Sequence, residues 1–181
     1  MANLSHLSEG EMKEILMLQE RLMLLDTQEK ARDSFLEYIH HIWPGFIEGD
    51  HHRIIADKLT RVAKGELKRL IVNMPPRHTK SEFASIYFPS WVMGLKPDMK
   101  IMQTTHTADL SINFGRKVRN LMDSDEYSKI FPKVSLAADS KSAGKWQTSQ
   151  GGEYFAAGVG GAIAGRGADL LIIDDPHSEQ D

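Results

Sequence analysis

Residues 68–81 read KRLIVNMPPRHTKS, and this stretch decides the fold. Leu70-Ile71-Val72 is a short apolar run of the kind that forms a buried strand, predicted over residues 70–73. Pro75-Pro76 then turns the chain across residues 74–79. Lys80-Ser81 opens a helix running to about Met93, with a kink near Pro89, because proline cannot donate to the helical ladder. The partner of this strand–turn–helix unit lies far downstream, at residues 170–175, LLIIDD. Its branched apolar residues predict a buried strand with two carboxylates at its carboxyl end, where open α/β sheets bind ligands.

Outward from these two stretches, helical and strand signals alternate. Ser8-Glu9-Gly10-Glu11 has capping-box spacing. Met12, Ile15, Leu16, Leu18, Leu22 and Leu25 follow at helical spacing, and core packing is the expected use of that stripe. A second helix over residues 27–40 carries Ala31, Phe35, Leu36 and Ile39 on one face. Asp50 is placed to cap a third, which buries Ile54, Ile55, Leu59 and Val62. His51 and His52 fall in its first turn as surface or capping residues, with a place near a nucleotide base as the alternative. Adjacent helical positions diverge, so the two are not expected to share a metal.

Residues 100–105 (KIMQTT) predict a second buried strand, and residues 107–121 a helix with Leu110, Phe114, Val118 and Leu121 on one face. Two short strands over 146–148 and 153–157 flank a turn at Gln150-Gly151-Gly152. A glycine-rich loop over 158–167 leads into LLII. The expected fold class is α/β: a parallel sheet with helices on both faces, preceded by N-terminal helices. The expected division is 1–42 for the helical preamble and 43–181 for the sheet domain.

With 181 residues the chain is long enough for one ordinary α/β domain. It is 41% hydrophobic and 26% charged, which excludes a disordered class. A net charge of −3 argues against a surface wrapped in nucleic acid, while leaving room for a local basic patch. There is no cysteine, so disulfides and zinc–thiolate sites are excluded. No apolar run approaches the roughly 18 residues of a membrane span. No membrane association and a cytosolic location are expected.

The chemistry concentrates at the two ends of the long pairing. A phosphate-binding loop has the pattern G-x-x-x-x-G-K-[S/T] between a strand and a helix. In that register Met74 and Thr79 stand where the glycines belong, followed by Lys80 and Ser81. The loop Met74, Pro75, Pro76, Arg77, His78, Thr79, Lys80, Ser81 would hold ATP. Lys80 would contact the β/γ-phosphates, and Ser81 would hold Mg²⁺ through its hydroxyl. Arg77 can reach a phosphate bidentately, whereas His78 is expected to be structural. Asp174 would bind Mg²⁺, and Asp175 would polarise the attacking water as general base. Arg166, alone among glycines, is placed to meet phosphate charge as an arginine finger does. Arg116, Lys117 and Arg119 lie on the other face of the 107–121 helix, where a solvated face is the plain reading.

MPPRHTKSE, FGRKVRNLM, YSKIFP, GGEYFAAGVGG and GRGADLLIIDDPHS occur in this order. Together they resemble the N-terminal ATPase part of phage terminase large subunits, the motors that package DNA into capsids. The likeness runs from about Trp43 to Asp181. It implies an additional-strand, RecA-like P-loop NTPase fold, with residues 74–81 as Walker A and residues 172–175 as the end of Walker B. The strand at 100–105 is then expected between the two motif strands. The resemblance further implies ATP hydrolysis with Mg²⁺, Arg166 acting in trans, and a homo-oligomeric ring, pentameric by analogy. Its implied partners are double-stranded DNA, the portal protein and the small terminase subunit, in the host cytoplasm. Three departures stand out. Thr79 replaces a glycine, and Asp175 replaces the usual catalytic glutamate. The sequence also stops soon after Walker B, so a truncated ATPase part without nuclease activity is expected. A helicase-like ATPase and a hydrolytically inactive nucleotide-binding or portal-docking module are the alternative expectations.

Overall fold

The computed structural model describes residues 8–140, 142–161, 163 and 165–177. The long N-terminal helix α1 (Glu9–Asp33) begins with the predicted capping box, in which Ser8 Oγ accepts from the Glu11 N–H and the Glu11 carboxylate accepts from the Ser8 N–H. It runs unbroken through the position where a second helix was expected to start at 27. The break comes at Ser34, whose backbone is extended and whose hydroxyl caps α2 (Phe35–Ile42). The expected use of the α1 stripe is not made. Met12, Leu16, Leu18, Leu22 and Leu25 are exposed, and only Ala31 is buried. The reason is geometric: α1 touches α2 and α6, and its N-terminal two-thirds lies clear of the core.

Helix α3 (Asp50–Ala63) starts one residue earlier than Asp50 capping requires. Gly49 is its N-cap, and the His52 ring satisfies the Gly49 N–H. The helix that follows the Pro-Pro turn begins at Lys80. It widens into π-helical turns over Glu82–Tyr87 before continuing as α4 (Phe88–Leu95). Pro89 has no N–H to donate to the preceding turn, and the predicted kink is met by this widening, with the Phe88 N–H reaching Phe83 O.

The sheet has four strands in the order β2 (Lys145–Gln147), β3 (Glu153–Gly158), β1 (Lys100–Thr105), β4 (Leu170–Ile173). β1 pairs in parallel with β3 and β4, whereas β2 pairs antiparallel with β3. It is therefore a mixed sheet, not the all-parallel one expected. Two corrections bear on the site. Residues 70–73 form no strand: no sheet pairing reaches them, and Ile71 is 86% exposed. In turn, β1 lies between β3 and β4, not between the two motif stretches, and β4 is an edge strand. Helical cover is also incomplete. Helix α5 (Ala108–Met122), capped by Thr107, packs on β1 and β3 through the face of Tyr154 and Gln103. On the opposite face of β4, Leu171 and Ile173 are more than half exposed.

The core sits behind the site helix and fixes its position. Phe35, Tyr38 and Ile39 of α2 pack with Phe83, Phe88 and Trp91, and with Tyr127, Ile130 and Phe131 around α6 (Asp125–Ile130). The polar atoms of Trp91, Tyr127 and Tyr38 in this core are paired, as burial demands. Trp91 Nε1 donates to Ala31 O at 2.6 Å, Tyr127 Oη donates to Ser90 O at 2.9 Å, and Tyr38 Oη shares a 2.7 Å hydrogen bond with Ser90 Oγ. Three helices thereby grip the segment that follows Lys80.

Candidate functional site

The end of β4 and the start of the Lys80 helix meet. The Asp174 N–H bonds to Thr104 O at 3.0 Å, extending the ladder one residue past β4 and fixing the direction of its carboxylate. Lys80 Nζ lies 2.5 Å from Asp175 Oδ1 and 3.6 Å from Asp174 Oδ1. Burial alone would lower the Lys80 pKa, but its contacts with Asp175 and Asp174 outweigh this and raise it. Asp174 is buried, while Asp175 is mostly exposed. The second Asp174 oxygen accepts from Ser85 Oγ at 2.7 Å. Sequence reasoning missed Ser85, which lies one turn beyond Ser81 on the same helix and carries no motif of its own. Ser81, the predicted metal ligand, makes no hydrogen bond through its side chain to a described residue and is half-buried beside Lys80.

The backbone around this junction is strained. Among the described residues three non-glycine positions have a left-handed φ: Arg77 at 63°, Thr79 at 62° and Asp175 at 44°. All three belong to the predicted site. Such conformations cost free energy and persist only where the surroundings hold them. At Thr79 the holding group is His52. Its Nδ1 accepts from the Gly49 N–H at 2.9 Å, so the proton is on Nε2, which donates to Thr79 Oγ1 at 2.7 Å. Thr79 Oγ1 in turn donates to His78 O at 2.6 Å. The His52 ring is buried between Phe46 and Phe83, with centroids at 4.8 and 5.1 Å. Burial, and then the neighbouring His51, depress its pKa. His52 is thus buried rather than a surface residue; it serves Gly49 as a cap, as the sequence expectation allowed, and reaches Thr79 as well.

The remaining predicted residues divide. His78 Nδ1 donates to Pro76 O at 2.9 Å, shaping the turn. Met74 is half-buried against the core, and Pro75, Pro76 and Arg77 are exposed. A cleft of about 290 Å³ runs beside the loop, between His51, Ile54 and Ile55 of α3 and Leu70, Val72 and Met74, and none of Lys80, Ser81, Asp174 or Asp175 lines it. Arg166 is not brought to the junction. Its guanidinium lies over the Phe155 ring at 4.0 Å and reaches Glu153 Oε1 at 3.7 Å. Glu153 begins β3, paired with Lys100, whereas Asp174 leaves β4 beside the far end of β1. Five residues of strand separate those ends, about 16 Å. Of the basic residues on α5, Lys117 lies 6.0 Å from the Phe114 ring centroid, Arg119 donates to Ser142 O, and Arg116 is exposed.

Asp174 and Ser81 offer a carboxylate and a hydroxyl, hard oxygen donors suited to Mg²⁺ that is otherwise held by phosphate and water. Among the described residues no three His, Cys, Asp or Glu side chains gather into an all-protein metal cage, and Mg²⁺ at a nucleotide needs none. No helix among the described residues is long and apolar enough to cross a membrane. No protein-family model matches the chain, and comparison with curated proteins and with solved structures likewise gives no match.

Proposed function

We propose that the chain is a P-loop ATPase of the terminase type, hydrolysing ATP to move double-stranded DNA. The observation that carries this reading is the junction of Lys80, at a helix start, with Asp174 and Asp175, at the end of a strand. The clustering of left-handed residues at the same place supports it. An ammonium shared between two carboxylates is a group poised to exchange them for phosphate oxygens. A helix start carries N–H groups without intrahelical partners, and these favour an anion.

In this mechanism Lys80 leaves Asp175 to meet the β/γ-phosphates, and Arg77 closes over them from the turn. Asp174 and Ser81 would hold Mg²⁺, which when bound neutralises charge on the phosphate oxygens. Ser85 keeps the Asp174 carboxylate oriented through its 2.7 Å hydrogen bond. Asp175, released from Lys80, accepts the proton of the attacking water. Within its own chain Arg166 contacts Glu153 and Phe155, and the terminase resemblance assigns its role in hydrolysis to a neighbouring subunit of a ring. The portal protein and the small terminase subunit are the proposed partners of that ring, in the host cytoplasm.

The test is phosphate release with Mg-ATP, with and without double-stranded DNA. Asp175→Asn is expected to abolish hydrolysis and to retain Mg-ATP binding. Hydrolysis undiminished in Asp175→Asn, or a wild-type chain that binds no Mg-ATP, would overturn the proposal.

A further inference from the structure

We propose that His52 is a positioning residue for the phosphate loop: it replaces the conformational freedom that a glycine at position 79 would supply. The inference rests on residues 74–81 being a phosphate loop, and goes beyond it by assigning a role to a helix outside the motif. Thr79 has a β-branched side chain and a φ of 62°. For an L-residue the left-handed region is disfavoured by a factor of about 5–30 in equilibrium, and branching at Cβ adds crowding. A glycine would adopt this backbone freely.

The structure shows what holds Thr79 there instead. Its hydroxyl is gripped from both sides, accepting from His52 Nε2 and donating to His78 O. The His52 ring cannot turn away without losing the Gly49 N–H and its packing against Phe46 and Phe83. Its tautomer is fixed by the same bond, so the donor always points at Thr79. Helix α3 is thereby coupled to the residue immediately before Lys80. If Thr79 relaxed to a negative φ, the peptide planes on either side would rotate and Lys80 would leave its position against Asp174 and Asp175. Neither nearby histidine supplies the donor: the His51 ring is tilted at 43° to that of His52 with centroids 3.8 Å apart, and His78 bonds to Pro76 O.

The test is a double-mutant cycle with His52→Ala, Thr79→Gly and the pair, plus His52→Gln, whose amide can donate to Thr79. Mg-ATP affinity is measured by calorimetry. His52→Ala is expected to weaken binding about tenfold in the Thr79 background, the equivalent of one hydrogen bond. In the Thr79→Gly background the same change should cost about twofold or less. His52→Gln should recover most of the loss. An equal loss in both backgrounds, or glutamine no better than alanine, overturns the proposal. If the wild-type chain binds no Mg-ATP, the phosphate-loop reading fails on its own. The His52–Thr79 coupling is then read from urea unfolding of the same proteins, where additive effects would refute it.

Discussion

Ser85→Ala and Ser81→Ala separate the structural hydroxyl from the one assigned to Mg²⁺. Ser85 is fully buried and donates to Asp174 Oδ2 at 2.7 Å. Asp174 is itself 6% exposed, and among the described residues its cationic neighbour is Lys80, 3.6 Å away. Removing the Ser85 hydroxyl leaves a buried carboxylate oxygen without its donor. Hydrogen bonds to charged groups contribute about 1.5–3 kcal/mol, so Ser85→Ala is expected to destabilise the fold by about 2 kcal/mol. For a chain of this length that lowers the melting temperature by about 4–8 °C. Ser81 is half-buried with no side-chain hydrogen bond to a described residue, so Ser81→Ala should stay within about 0.5 kcal/mol of wild type. Urea unfolding of the three proteins measures both. Mg²⁺-dependent nucleotide binding should show the reverse order, with Ser81→Ala the more damaging. Equal stability losses, or a larger loss for Ser81→Ala, would refute the assignment of Ser85 as the residue that orients Asp174.

Three further outcomes are expected. His52 has a depressed pKa, so the unfolded chain binds its proton more readily; its contribution is complete above about pH 6.5 and is lost as pH falls through the lower folded value. Urea unfolding between pH 7 and 5, about the usual imidazole range, should therefore show a loss of stability that His52→Gln diminishes; parallel profiles would contradict it. Gly115→Ala places a Cβ 2.6 Å from Ala143 O and 2.9 Å from the Tyr154 ring, and should cost about 1–3 kcal/mol in thermal unfolding. Arg166→Ala removes a partly exposed contact with Glu153 and Phe155 and should cost under about 1 kcal/mol. The same substitution should abolish any rise of ATPase rate per subunit with protein concentration, and a rise that survives it would exclude the trans role.

Local signals carried much of the fold. The capping box at Ser8, the strand at 100–105, the helix after Thr107 and the strand LLII stand where capping chemistry and periodicity put them, although Leu171 and Ile173 leave LLII half exposed rather than buried. Each depends on residues close in sequence. The strand expected at 70–73 was a different matter. An apolar run becomes a strand only when a partner edge pairs with it, and β1 pairs with β3 and β4 instead. The α1 stripe failed for a related reason, since periodicity reports an apolar face without saying what covers it. At the site, Lys80 and the two aspartates were legible because their motifs are local and the sheet rule places strand ends near helix starts. Ser85 and His52 were not, because their roles exist only through contacts with Asp174, 89 residues away, and Thr79, 27 residues away. The deviation at Thr79 was visible in the sequence, but the group that accommodates it was not.

In the proposed mechanism the Lys80 loop binds the phosphates of Mg-ATP. Calorimetric titration of the wild-type chain and of Lys80→Ala with Mg-ATP tests it directly. Saturable binding by the wild type and none by Lys80→Ala is the predicted result; equal binding by both proteins would contradict it.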